Sequence, residues 1–395
     1  MVIVQINQTY KIGSTGKIMA DLNDVITKHG HEGYMVAGYA LDDKVDSLYS
    51  LNEGNYAFAI RKNILISRIS GKMGYRQEKE TIKAIEWIDS KNPDVIHLHN
   101  IHGDWINIQL LFEYIKKKKI PVVWTLHDCW AFTGRCSHFE LCKCEKWKTG
   151  CYDCSNNKVY PITYFFDFSK KMWQDKKKWF SDIENMKIVT PSYWLKQYVD
   201  QSFLGNYRTF VIHNGIDTKS FSRRKNLKTG KKIILGVASS WTANKGFFDF
   251  IKLDSMLNHD EYEIIMVGLN SRQMKKIPKT ITGIKRTNSI QDLVDIYSKA
   301  SVFFNPTYLD NFPTTNLEAL ACGTPVVTYR TGGSPESVPL QCGKVLEQGD
   351  VLGMLEFIKN REFDHFDKNI LIDYAKEKFD KYNAMNKYLK LYENG

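Results

Sequence analysis

DVIHLHNIHGDWINIQLLFEYIKKKKIPVVWTLH, residues 94–127, decides the fold. It reads as strand, helix, strand. DVIHLH (94–99) and PVVWTLH (121–127) are short and nearly all apolar, and residues near 107–118 read as a helix between them. Lys116 to Lys119 end that helix before Pro121, where cations suit the negative end of the helix dipole. Strands that are apolar on both sides belong to parallel sheets covered on both faces by their crossover helices.

The same alternation runs outward from this unit. Upstream are VIVQI (2–6), a helical stretch over 16–29 and YMVAG (34–38). Downstream come KIVT (187–190), a helix over 192–203 and TFVIHN (209–214). A second series follows: KIILGVA (232–238), a helix near 246–257, YEIIMVG (262–268), a helix near 290–300, SVFFNP (301–306), a helix near 315–322 and PVVTYR (325–330). Two series in 395 residues imply two doubly wound α/β domains. The polar, charged segment 214–232 reads as the joint between them. The expected organisation is a first domain over 1–213, a second over 214–375 and a C-terminal helix over 376–395 packing back on the first.

Composition is that of a soluble globular protein, 43% hydrophobic and 25% charged. No apolar run is long enough to span a bilayer, and the first residues do not read as a signal peptide, so a cytoplasmic location is expected. The net charge of +11 is spread over both halves and reads mainly as a lysine-rich solvated surface; nucleic acid is not the expected partner. Residues 60–76, IRKNILISRISGKMGYR, set Arg61, Lys62, Arg68, Lys72 and Arg76 among Ile60, Ile64, Leu65, Ile66 and Ile69. They fit a basic amphipathic helix lying on an anionic membrane, and equally an ordinary surface helix.

Ligands of doubly wound sheets bind at the carboxyl ends of the strands. After the first strand, Gly13, Ser14, Thr15 and Gly16 open a helix, where backbone amides can approach an anion; a tight turn with a Ser/Thr cap serves as well. His127 ends another strand beside Asp128, as a hydrogen-bond donor, an acid/base group or a structural histidine. His97, His99 and His102 read as histidines lining a polar cleft. In the second half, Asn244, Lys245 and Gly246 lead into a helix, where a cation is disfavoured unless an anion joins it.

The segment YLDNFPTTNLEALACGTPVVTYRTGG, 308–333, is the most informative. Thr315 and Glu318 fit a capping box, Thr315 as N-cap and Glu318 reaching back. A cap does not account for Asp310, the Asn311-Phe312-Pro313 turn or the paired Thr314 and Thr315. Threonines at a helix N-terminus offer donors to phosphate, and carboxylates accept from sugar or ribose hydroxyls. A nucleotide-sugar carries both groups.

Asp310 and Glu318, eight residues apart and followed by Ala-Leu-Ala-Cys-Gly-Thr-Pro-Val-Val, resemble the paired-acid segment of the retaining family-4 glycosyltransferases of the GT-B fold. Further matches are Ser192 to Leu195, His213 to Asp217, Lys245-Gly246, and Gly332-Gly333 with Glu336. The resemblance implies two facing Rossmann-like domains with a cleft between them, and sugar transfer from a UDP- or GDP-sugar with retention and no catalytic metal. By position, it implies that Lys245 binds the donor diphosphate, with Asn244 beside it. Asp310 would meet the sugar hydroxyls, Phe312 and Pro313 shape the pocket, Thr314 and Thr315 offer backbone donors to the phosphates, and Glu318 takes the ribose, with Asn311 and Asn316 also counted as donor-binding. His127 would lie near the transferred sugar, with Gly13 to Gly16 facing the diphosphate or acceptor. The first acid is Asp where the family usually has Glu, and Ser240 or a neighbour stands where it usually has Arg. The acceptor expected for the polysaccharide-assembly subgroup is a lipid-linked or glycan chain, with peripheral contact at the inner membrane face. A nucleotide-sugar epimerase or phosphorylase of similar fold and a non-enzymatic nucleic-acid or membrane binder are the alternatives.

Six of the eight cysteines lie between 129 and 154. In a cytoplasmic chain such a cluster points to metal before disulfides. The C-x2-C of Cys151 and Cys154, with Cys136 and Cys144, is the expected structural zinc set; buried reduced thiols are the other reading.

Overall fold

The computed structural model describes residues 1–40, 45–51, 56–156, 158, 160–225, 227 and 230–393, with residues 56–60 described by their backbone only. The chain packs as two units, Met1–Ile212 with Met385–Gly395, and His213–Ala384.

In the first unit seven strands pair in the order β3-β2-β1-β4-β5-β6-β7. They are β1 (Val2–Tyr10), β2 (Glu32–Ala40), β3 (Leu48–Ser50), β4 (Val95–Leu98), β5 (Val122–Thr125), β6 (Met186–Thr190) and β7 (Arg208–Val211). Every pairing is parallel. The helices are α1 (Gly13–Lys28), α2 (Tyr56–Ser70), α3 (Glu78–Ser90), α4 (Ile108–Lys118), α5 (Ser169–Phe180) and α6 (Tyr193–Asp200). Both β4 and β5 are buried along their whole length, as their nearly all-apolar sequence requires. On one face Trp124 meets Phe180 edge-on at 4.8 Å and Phe112 at 5.5 Å. Each such pair adds about 0.5–1.5 kcal/mol beyond the area it buries.

In the second unit six strands pair in the order β10-β9-β8-β11-β12-β13, again all parallel. They are β8 (Lys232–Val237), β9 (Tyr262–Val267), β10 (Ile281–Ile284), β11 (Val302–Asn305), β12 (Val326–Tyr329) and β13 (Gly343–Leu346). Helices α7 (Phe247–Asp254), α8 (Ile290–Lys299), α9 (Thr314–Ala321), α10 (Val351–Lys359) and α11 (Lys368–Phe379) cover them, and α12 (Lys381–Glu393) follows. Both sheets are the expected doubly wound α/β kind, and each places its loops at the strands' carboxyl ends.

The residues of α12 from Met385 onward belong to the first unit. There Tyr392 Oη lies 2.6 Å from His97 Nδ1 and Thr125 Oγ1 donates to Tyr388 Oη at 3.2 Å. Both tyrosines are buried.

Two local expectations are corrected. The basic helix ends at Ser70, because Gly71 takes a left-handed φ of +73°. Lys72 and Arg76 therefore leave it, and Arg76 turns inward to donate to Ser67 Oγ at 3.2 Å. The side chain of Ile60 lies outside the described residues. The capping box at Thr315 and Glu318 does not form: α9 begins at Thr314, its N-cap is Pro313, and no side chain caps it. Glu318 instead accepts from the Tyr297 hydroxyl at 3.0 Å, a partner on α8. A capping box with that geometry does occur at α8, between Ser289 and Asp292.

Candidate functional site

The loops after β8 and β11 carry the charged pair of the second unit. After β8, residues Ala243–Lys245 make one 3₁₀ turn, and Gly246 then reverses the backbone at φ +73° before α7 begins at Phe247. A side chain there would strike Pro306, whose atoms lie 2.4 Å from an added Cβ. This close approach brings Lys245 to the loop after β11. Tyr308 N donates to Asn244 O at 2.8 Å, and Lys245 Nζ lies 2.5 Å from Asp310 Oδ2. The anion that a lysine in this position requires is thus supplied by Asp310, 65 residues on. The pair is partly exposed, at 36% and 19% of the side chains, so it remains open to exchange with a ligand.

Beyond Asp310 the loop lies on Gly332 and Gly333. Gly333 N donates to Asn311 O at 2.8 Å, and a Cβ on Gly332 (φ +52°) would sit 1.9 Å from Asp310 O. Any larger residue at 332 displaces the Asp310 backbone. Phe312 is buried under His213, whose ring stacks on it at 4.7 Å and 9°, and Asn214 donates to Phe312 O at 3.2 Å. Pro313 is buried beside it. Thr314 and Thr315 are half-buried in the first turn of α9, whose leading amides have no intrahelical acceptor.

Asn316 points elsewhere. It is fully buried, donates to Ser337 Oγ at 3.0 Å and accepts from Asn305 at 2.8 Å, so it braces the loops and does not face a ligand. Glu318 is half-buried on α9, held by Tyr297. Sequence reasoning missed Tyr297; it sits on a helix 21 residues earlier, with no motif to mark it.

In the first unit α1 starts at Gly13 (φ +66°), with no side-chain cap. Ser14 is exposed and Thr15 half-buried, with Asn7 Nδ2 3.5 Å from its hydroxyl. Gly16 is buried against Thr9, where an added Cβ would come within 2.9 Å of the Thr9 hydroxyl. His127 follows β5 and joins a row of histidines. Its Nε2 lies 3.3 Å from His99 Nδ1, and the His99 and His97 rings lie 4.1 Å apart. His97 Nε2 is 2.8 Å from Thr125 Oγ1, and His99 Nε2 is 3.3 Å from Gln5 Oε1. Burial pushes His97 down to about 3 and His127 to about 4, and holds His99 well below the usual range. All three are therefore neutral at neutral pH. A second chain runs beside them: Tyr160 Oη is 3.0 Å from His102 Nδ1, and His102 Nε2 is 3.1 Å from Asp128. Burial alone would raise the Asp128 carboxyl, but His102 and the amide of Trp130 hold it below its usual value.

The histidine row makes stability depend on pH. The folded groups lie near 3 and 4 and the unfolded ones near 6.5, so the native state binds fewer protons and loses stability as pH falls below about 6.5. At pH 5 the loss is about 2 kcal/mol for each of His97 and His127 taken alone. We expect the urea midpoint to fall steeply between pH 7 and pH 5, and His97→Asn to flatten that slope. An unchanged slope in the variant removes His97 from the explanation.

The four cysteines of the expected zinc set, Cys136, Cys144, Cys151 and Cys154, line one small pocket together. Cys136 and Cys154 hydrogen-bond to each other, and that bond brings Cys154 down to about 6. Cys151 Sγ accepts from Gly134 N at 3.1 Å, while Cys144 packs partly buried against the core. Among the described residues no three His, Cys, Asp or Glu side chains come together as metal ligands. No helix among them is long and apolar enough to cross a membrane.

Comparison with known proteins agrees with this geometry. Residues 21–220 match the family described as Glycosyltransferase Family 4, and residues 218–359 match Glycosyl transferases group 1. A putative colanic acid biosynthesis glycosyl transferase, WcaC, of Escherichia coli K12 is 24% identical over 423 aligned positions, covering all of both chains. Among solved structures, sucrose-phosphate synthase of Thermosynechococcus elongatus superimposes with a TM-score of 0.74 at 14% identity, over 100% of this chain and 98% of that one. HepE of Anabaena, solved in complex with UDP, superimposes with a TM-score of 0.67 at 13% identity over the full length of both. At such identities the structural likeness speaks for the fold alone, and the family match carries the assignment. The chain belongs to glycosyltransferase family 4 and has the two-domain α/β architecture called GT-B.

Proposed function

We propose that the protein transfers a sugar from a nucleotide diphosphate sugar, a UDP- or GDP-sugar, to a growing cell-surface glycan, with retention at the anomeric carbon. The observation that carries this reading is the Lys245–Asp310 pair at the mouth of α9. A cation, a carboxylate and a helix N-terminus side by side can divide between them the diphosphate and the sugar hydroxyls of one donor. The full-length similarity to a colanic acid transferase supports a glycan product, and the UDP complex of HepE supports a nucleotide-sugar donor.

On donor binding, Lys245 exchanges Asp310 for the diphosphate, and Asp310 is released to accept from the sugar. Asp310 is one methylene shorter than Glu, so its contact is direct only if the sugar sits deep against Phe312; otherwise a water completes it. Glu318 takes the ribose hydroxyls, steadied by the Tyr297 hydroxyl. As the glycosidic bond breaks, charge grows on the leaving phosphate, where Lys245 and the α9 amides stabilise it. The acceptor hydroxyl attacks the face from which the diphosphate departs and passes its proton to a departing phosphate oxygen. His127, neutral at pH 7, can act as a hydrogen-bond partner and not as a cation.

A thermal-shift screen of nucleotide-sugars tests the donor site. At about 100 times Kd the correct donor stabilises by about 2.7 kcal/mol, which raises Tm by roughly 5–10 °C. Glu318→Ala is expected to keep a cooperative melt and lose the shift. If no UDP- or GDP-sugar moves Tm, the donor-site reading fails. The anomeric configuration of the product, read by NMR, decides retention.

A further inference from the structure

The second unit holds a cavity of about 250 Å³ at the amino ends of β8 and β11. Lys232 opens β8 and Ser301 directly precedes β11, and both line it. Lys245 and Asp310 follow the carboxyl ends of the same two strands, so a full strand length separates this cavity from the candidate donor site. Six cations stand in the lining: Arg223, Arg224, Lys231, Lys232, Lys299 and Lys368. Among the described lining residues Asp364 is the only carboxylate. Arg361 already holds it at 2.7 Å, and Lys232 is 3.9 Å away.

Part of this surplus has an ordinary explanation. Lys299 is the last residue of α8, and Arg223 lies by Gly323, just beyond the end of α9; both suit the negative end of a helix dipole. Arg224 Nε has Asp295 at 3.6 Å, and Lys231 donates to His259 O. Lys368 and the buried part of Arg223 are not accounted for in this way. Lys368 is the first residue of α11, at the positive end of that dipole, where a cation is disfavoured. Burial, and after it Arg223 and Lys232, hold its pKa below the usual lysine value. Arg223 Nε is buried and has no hydrogen-bond partner among the described residues. Gly323 lets the two side chains lie this close: an added Cβ there would come within 3.0 Å of Arg223 Cδ and 3.4 Å of Lys368 Cβ.

A buried guanidinium nitrogen without an acceptor costs free energy, and so does a half-buried ammonium facing like charges. An anion in the cavity relieves both. A cleft lined by one sign of charge also concentrates counter-ions from solution. A single phosphate cannot reach six cations spread around a cavity of this volume, and a short chain of phosphates can.

We propose that this cavity binds a compact polyphosphate, carried either by a nucleotide or by an inorganic phosphate chain, at a site distinct from the donor site. The proposal does not rest on the glycosyltransferase reading.

Inorganic tripolyphosphate is the probe, titrated calorimetrically into the full-length protein carrying Lys245→Ala, so that the candidate donor site does not answer for it. Tripolyphosphate should bind at least about tenfold tighter than orthophosphate. Adding the pair Lys299→Gln and Lys368→Gln should weaken it at least about tenfold with unchanged melting. A matched pair of exposed lysines outside the cavity, Lys275→Gln and Lys276→Gln, removes the same charge and should leave binding as it was. Equal affinity for tripolyphosphate and orthophosphate overturns the proposal, and so does undiminished binding after Lys299→Gln and Lys368→Gln. Equal losses from the two lysine pairs overturn it as well, because they reduce the effect to net charge. ATP identifies the carrier once the site stands: binding at least as tight as tripolyphosphate supports a nucleotide, and weaker binding supports an inorganic chain.

Discussion

Lys245→Ala lowers kcat/KM for sugar transfer by about 10²–10³-fold and leaves Tm within a degree or two. Two features of the pair set these opposite magnitudes. The bond to Asp310 is partly exposed, so solvent screens it and its removal costs at most about 1 kcal/mol of stability. On the proposed reading the same ammonium faces, in the transition state, a leaving phosphate whose charge is growing, and there a single donor is worth about 3–4 kcal/mol. Asp310→Asn should differ in kind. It leaves the diphosphate contact intact and frees Lys245 from its carboxylate, so apparent affinity for the free nucleoside diphosphate rises while turnover falls. Initial rates with a radiolabelled donor, beside calorimetry with UDP or GDP, separate the two variants. Lys245→Ala retaining a tenth of parental kcat/KM dismisses the leaving-group role.

Lys176→Met destabilises the first unit by about 3 kcal/mol, the largest effect expected of a single change away from the site. Lys176 is 1% exposed and sits on α5 inside the aromatic cluster. Its Nζ donates to Trp130 O at 2.7 Å and Thr133 O at 3.1 Å, and lies 3.5 Å over the Trp130 ring. Burial holds its pKa well below the usual lysine value, with Cys151 and Asp128 working the other way. Methionine keeps the volume of the stem and removes every donor, leaving two buried carbonyls without their partner. Tm should fall by roughly 6–12 °C. A loss under 0.5 kcal/mol shows that water takes over those carbonyls.

The central strands of both sheets could be read from sequence because burial on two faces leaves room for few polar residues. β4, β5, β11 and β12 announce themselves in this way. Three of the four edges could not. β3, β10 and β13 have three or four residues each and lie at or next to solvent, so neither length nor pattern separates them from loop. α5 hides for another reason: SKKMWQDKKKWF looks solvated, yet Met172, Trp173 and Trp179 face inward and one of its lysines joins them. At the candidate site, resemblance singled out Lys245 and Asp310 for different parts of a ligand, and only the fold shows that they hold each other. Glu318 was assigned a local cap because sequence displays neighbours three residues away and conceals a tyrosine on another helix.

The residues of α12 beyond Met385 belong with strands that precede them by nearly the whole chain. Tyr388 and Tyr392 supply hydroxyls to Thr125 and His97 in the middle of the first sheet. During synthesis that sheet emerges from the ribosome long before its last hydroxyls exist, since the chain grows from its N-terminus at about 5–20 residues per second. The first half must wait with His97 Nδ1 and the Thr125 hydroxyl each lacking its tyrosine partner while the second half is being made. Order of manufacture and order of completion are thus reversed in this protein, and the newborn first half is the stage at which a chaperone has most to protect.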